Sequence, residues 1–152
     1  MANAQHLVYR KDILKKLNID VPKTYEEMLS AAKKIRDAGL VKNPVGGAYK
    51  AGWNLAQEFN NMFIGYGGSH FKGNTAEPNV NSESGVKALE MMKALSAYMN
   101  PDFLTHDSNA TNAEFRAGNV AIMNMWGSRA ATVSYTHLRA HETLRSRMPS
   151  SA

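Results

Sequence analysis

The stretch Phe115-Arg116-Ala117-Gly118-Asn119-Val120-Ala121-Ile122-Met123-Asn124-Met125-Trp126 decides how this chain is built. Val120–Met125 is nearly continuously apolar, which reads as a strand covered on both faces. Phe115 belongs to a short helix that Thr111-Asn112-Ala113-Glu114 opens as a capping box and that Gly118 ends. Trp126-Gly127-Ser128-Arg129 turns the chain out of the strand. A helix feeding a buried strand asks for more strands upstream, each with a helix to cover it.

The upstream sequence supplies them. Ser82 or Ser84 caps a long helix running to about Tyr98, with Ala88, Met91, Met92, Leu95 and Tyr98 as its stripe and Pro101 as its stop. Another helix spans about Trp53 to Ile64. Its apolar side is Leu55, Ala56, Phe59, Met62 and Phe63, and its polar side is Asn54, Gln57, Glu58 and Asn61, with one charge. Before it, residues 42–52 carry loop chemistry. The best-defined helix starts at Thr24-Tyr25-Glu26-Glu27, a capping box, buries Tyr25, Met28, Leu29, Ala32 and Ile35, and ends at Gly39. Leu7-Val8-Tyr9 reads as a strand running into a short helix, Lys11–Leu17, with Asn18 as a left-handed cap. Strands joined by helices give an α/β architecture with at least partly parallel strands.

Composition bounds the function. The chain has 152 residues, 43% apolar and 20% charged, and no Cys. It therefore has no disulfide scaffold, thiolate metal site or Cys nucleophile. No run approaches the ~18 apolar residues of a membrane span, and no signal peptide is visible at the N-terminus. The net charge of +5 raises a nucleic-acid reading, but residues 133–152 hold Arg139, Arg145 and Arg147 against Glu142, and the other Lys residues mix with acids on helix faces. Scattered charge gives no aligned phosphate track, so no nucleic-acid partner is expected.

Catalytic and metal chemistry finds little support. Glu58, Glu77 and Glu114 lack any pairing that marks an acid/base couple. Among the five His, only His137 and His141 are spaced four apart, and they lie in a tail without periodicity; Zn needs three or four converging ligands. No cofactor is expected. What stands out is uncharged polar groups beside aromatics: Trp53 and Asn54 at a loop-to-helix junction, Asn60, Asn61 and Tyr66 close behind, and Trp126 at the end of the strand. Aromatic faces stack on the C–H faces of sugar rings and amides pair with hydroxyls, so this mixture suits a neutral polyol. The alternative is that both Trp residues pack and their indole N–H groups find partners.

Four motifs add a resemblance. Leu7-Val8-Tyr9-Arg10-Lys11-Asp12-Ile13-Leu14, followed by Val21-Pro22-Lys23-Thr24-Tyr25-Glu26-Glu27-Met28, resembles extracellular solute-binding proteins of ABC sugar importers. Ala51-Gly52-Trp53-Asn54 with Phe63-Ile64-Gly65-Tyr66-Gly67-Gly68 is similar to the middle of that family's second lobe. Phe115–Met123 resembles its Phe-x-x-Gly-x-x-Ala-Met signature, and Asn124–Ala130 the segment after it in the α-glucoside-type branch.

The resemblance implies a fragment, residues 1–131, of the second lobe of a two-lobed periplasmic-binding-protein-like fold. The intact parent would be periplasmic or extracellular and lipid-anchored. It would act as a monomer without enzymatic activity, trapping a sugar or oligosaccharide and delivering it to an ABC transporter membrane permease. The resemblance places Trp53 and Trp126 as stacking residues, Asn54, Glu58 and Asn61 as hydroxyl partners, and Tyr9 toward the hinge. Residues 133–152 resemble translated library-adapter sequence, and residues 132–152 are expected to be a non-native, disordered tail. Two other readings stand beside this one. A sugar-processing glycoside hydrolase is the first. The second is a small interaction module presenting Met91/Met92 and Met123/Met125, residues that would otherwise be core filler.

Overall fold

The computed structural model describes residues 4–129. The expected tail lies outside the described residues. Three strands form one mixed sheet in the order β1-β3-β2, where β1 is Gln5–Tyr9, β2 is Val45–Gly46 and β3 is Ile122–Trp126. β1 runs antiparallel to the central β3, with Gln5 opposite Trp126 and Tyr9 opposite Ile122, while β2 runs parallel to it. The helices are α1 (Lys11–Lys16), α2 (Tyr25–Asp37), α3 (Trp53–Gly65), α4 (Glu83–Ser96) and α5 (Ser108–Arg116).

The strand read from the apolar run is central, and Ile122–Met125 are all buried. Alternation sends its side chains to two cores. Ile122 joins a cluster with Met28, Ile35, Phe63, Met92 and Leu95, so α2, α3 and α4 cover one face. Met123 and Met125 join Phe115 and Val120, so α5 covers the other. The methionines are core filler: Met92, Met123 and Met125 are buried and Met91 is half-buried, which removes the interaction-module reading's motive.

Local signals hold with small corrections. Thr24 Oγ1 accepts from the Glu27 N–H, but the Glu27 carboxylate accepts from the Lys23 N–H rather than from the cap residue itself. Asn18 takes φ 51° and Gly39 φ 69°, the left-handed conformation expected at both helix ends. In α2, Ala31 is buried where Leu29 is only half-buried. In α3, Ala56 is exposed and Glu58 buried, the reverse of the expected sides. The capping box at Thr111 is not one. Asp107 caps α5, its carboxylate accepting from the Asn109 and Ala110 N–H groups, and Thr111 sits inside the helix donating its hydroxyl to the Gly47 carbonyl.

The largest difference concerns residues 42–52. Pro44–Tyr49 is buried, not a surface loop, and contains β2. The Pro44 carbonyl accepts from the Ala121 and Ile122 N–H groups, and the Val45 N–H donates to the Tyr98 carbonyl. Gly46 lies so close to β3 that an added Cβ would stand 3.0 Å from Met123 Cβ and from Val120 Cγ1. Its glycines, which suggested a turn, serve close backbone approach instead.

Candidate functional site

The C-terminal end of β3 meets the first turn of α3. Because Gln5 stands opposite Trp126, and Leu7 opposite Asn124, the side chains of Gln5, Asn124 and Trp126 share one face of the sheet. On α3, Asn54, Glu58 and Asn61 fall at i, i+4 and i+7 and share one stripe. The two surfaces face each other. Gln5, Asn54, Glu58, Ser108, Asn124 and Trp126, with Ala48 and Met125, line one shallow, tightly closed depression.

Trp53, the first residue of α3, stacks on Trp126 with ring centroids 5.3 Å apart and planes 27° apart. Gly52 before it takes φ 96°, a turn that suits glycine. Trp53 is 59% exposed although large and apolar. The pair therefore presents an aromatic surface to solvent beside a polar depression, a combination that core packing does not require.

Glu58 is 5% exposed. Burial raises its carboxyl pKa to about 8, opposed by the Ala48 N–H, which donates to it. Two tyrosines stand near. Burial, then the Glu58 charge, raises the Tyr25 hydroxyl well above its ordinary range, and an Asn124 hydrogen bond opposes the shift. Tyr49 is raised in the same way, by burial and then by Glu58. Asn61 donates its amide to the Tyr25 hydroxyl at 3.0 Å. Asn61 is thus held inside a polar network behind the depression. The Gln5 Oε1 atom is buried without a hydrogen-bond partner among the described residues.

Five of the six residues singled out from the sequence come together here: Trp53, Trp126, Asn54 and Glu58 at the depression, and Asn61 one layer behind. Tyr9 does not. It lies at the far end of β1 from Gln5, roughly 13 Å away at ~3.4 Å per residue. Sequence reasoning missed Gln5, Ala48, Ser108 and Asn124. The signal for Asn124 was an amide between two methionines in a buried strand. Ser108 was hidden by the misplaced helix start, and Ala48 by reading residues 42–52 as loop.

The family model for bacterial extracellular solute-binding proteins matches residues 1–139. The chain belongs to that family. A curated relative, a probable sugar-binding periplasmic protein of Mesorhizobium japonicum, is 24% identical over 122 residues, covering 76% of this chain and 28% of the relative. Among solved structures, an ABC transporter solute-binding protein of Agrobacterium radiobacter in complex with ribitol is 28% identical. It matches with a TM-score of 0.78 over 90% of this chain and 35% of that one. Maltose-bound MalE3 of T. maritima shares the fold, at 23% identity and a TM-score of 0.80 over 91% of this chain and 36% of that one. The chain spans about a third of the length of the solute-binding proteins it matches. Family and fold thus agree with the α/β periplasmic-binding-protein-like reading of the sequence. Among the described residues, no helix is long and apolar enough to cross a membrane.

Proposed function

We propose that this chain supplies one side of a binding site for a neutral sugar or polyol, within a solute-binding protein that delivers its ligand to an ABC importer permease. The observation that carries the reading is the exposed Trp53–Trp126 stack beside a depression whose lining contains amides, a serine and one carboxyl but no cation. A sugar ring covers an indole face with its C–H groups while its hydroxyls reach Asn54, Glu58 and Ser108. Asn61 acts indirectly by fixing Tyr25, and Tyr9 belongs to the hinge side. The whole protein acts in the periplasm, or outside the cell on a lipid anchor. It closes around the ligand by hinge motion and docks on the permease in the closed form.

Glycoside hydrolysis is the less supported reading. It uses two carboxyl groups about 5–9.5 Å apart, and Glu58 is the one carboxyl among the residues lining the depression. The test uses the chain's own fluorophores, since its two Trp are the two at the site. Titration with maltose, D-mannitol and ribitol should give a saturable change in tryptophan emission, and the sugars should be recovered chemically unchanged. Because the chain supplies one side of the site, the affinity should be weak, and saturable binding that Trp126→Ala leaves undiminished would refute the reading.

A further inference from the structure

The two indoles do not stand equally toward the depression. Trp126 lines it together with Asn54, Glu58, Ser108 and Asn124, whereas Trp53 is stacked on Trp126 and is not among the lining residues. As the rings stand, the depression is too tightly closed to hold a water molecule. We infer that Trp53 is a gate: it occupies the stacking surface of Trp126, and a sugar ring enters by displacing it, so that the sugar lies between the two indoles. The inference rests on the sugar-binding reading above and adds what guards the site and which ligands pass.

Distances show that a ring must move. Carbon atoms in contact stand ~3.5–4.0 Å apart, so a sugar touched on both faces holds the two indoles roughly 7–8 Å apart. The Trp53 and Trp126 centroids are 5.3 Å apart with planes 27° apart, so no third ring fits between them until they separate. A sugar resting on the outer face of Trp53 would avoid that separation. A whole indole would then lie between it and Trp126, the ring that adjoins the polar groups of the depression.

Trp53 is the ring that can move. Trp126 belongs to the central strand, half-buried and held opposite Gln5 in the ladder. Trp53 opens α3, stands largely in solvent, and follows two exposed residues, Ala51 and Gly52. A Cβ built on Gly52 would meet no atom within 4 Å, so the space beside the start of α3 is open. Exposed side chains change rotamer in picoseconds to nanoseconds, so the gate lowers affinity rather than speed. An aromatic pair prefers its stacked form by roughly two- to tenfold, and apparent affinity falls by about that factor. A ligand recovers the loss when it offers C–H surface to both indoles, as a pyranose ring does and a ligand with one apolar face does not.

These are the chain's two Trp, so removing one leaves a single reporter. Stacked indoles couple their electronic transitions and give a paired band in far-UV circular dichroism. In the full chain that band should be present, vanish in Trp53→Ala and in Trp126→Ala, and shrink as maltose saturates the emission change. In Trp53→Phe and Trp53→Ala the one fluorophore is Trp126. Acrylamide should quench it several-fold more in the Ala variant, where no ring covers it, than in the Phe variant. Maltose affinity of Trp53→Ala should stay within about threefold of the native chain, since the lost contact and the lost obstruction offset each other. Equal quenching of Trp126 in the two variants would overturn the inference with no ligand present. A paired band undiminished at maltose saturation would also overturn it, placing the sugar on the outer face of the stack and leaving the sugar-binding reading intact. Saturable maltose binding undiminished in Trp126→Ala would overturn both.

Discussion

Glu58 sits where a carboxylate cannot be solvated, and stability should register it. Its folded pKa of about 8 lies above the ordinary value of 4.5, so between those values the folded chain holds more protons than the unfolded one. Stability is therefore full below about pH 4.5 and declines as pH rises, by up to roughly 1.4 kcal/mol per pH unit from this group, levelling off above about pH 8. Urea unfolding across that window should show the decline in the native chain and a flat profile in Glu58→Gln. A decline that persists in the variant would place its origin elsewhere. If the proposed sugar site is right, Trp126, half-buried on β3, should govern affinity more than Trp53, which stands 59% exposed. Trp126→Ala should weaken maltose or mannitol binding by ~1–3 kcal/mol, as for an anchor in a desolvated pocket, and Trp53→Ala by less. Calorimetric titration of the two variants would reverse that ranking if the outer ring were the anchor.

At the scale of elements, the helix starts separate what local chemistry fixes from what it leaves open. Thr24 was legible because hydroxyl, glutamate and apolar stripe agreed on one start. Thr111 and Glu114 carried the same spacing, yet the Thr111 hydroxyl bonds the Gly47 carbonyl, 64 residues away in sequence. Pattern alone could not weigh that tertiary partner against a local one. Asp107→Ala should therefore cost about 1 kcal/mol, the usual loss of an N-cap, while Glu114→Ala should stay within about 0.5 kcal/mol. Thermal melts of the pair would give the opposite order if the capping box at Thr111 were real. The site shows the same division. Trp53, Asn54, Glu58 and Trp126 were legible because each sits on or beside a strongly periodic element. Gln5, Ala48 and Ser108 depend on strand register and on a buried segment, and neither is written in local composition. Tyr9, expected toward the hinge, lies on the same strand and sheet face as Gln5 but at the other end, a distinction that register alone supplies.

In the whole molecule, the two cores differ in how much they can lose. The larger cluster joins α2, α3 and α4 to Ile122, and its residues are held by many others. The smaller has Phe115, Val120, Met123 and Met125, with Val8 alongside, and Phe115 is its one aromatic side chain. Leu95→Ala in the larger cluster should cost ~2–5 kcal/mol, and Leu29→Ala, at a half-buried position, less. Phe115→Ala should cost ~3–5 kcal/mol, and its consequences should be local first. α5 packs against β2 and β3, carries Ser108 to the site and holds the Gly47 carbonyl through Thr111, one residue from Ala48 and its hydrogen bond to Glu58. Loosening α5 therefore disturbs the wall that positions Glu58, whereas Leu95 lies on α4, which contributes no residue to the depression. Under conditions where both variants remain folded, hydrogen exchange should speed up across α5 and residues 44–49 in Phe115→Ala, but across α4 in Leu95→Ala. Sugar affinity should fall in the first and hold in the second. Equal losses of affinity in both would mean that the site responds to global stability alone, and that the α5 side of the sheet has no separate part in shaping it.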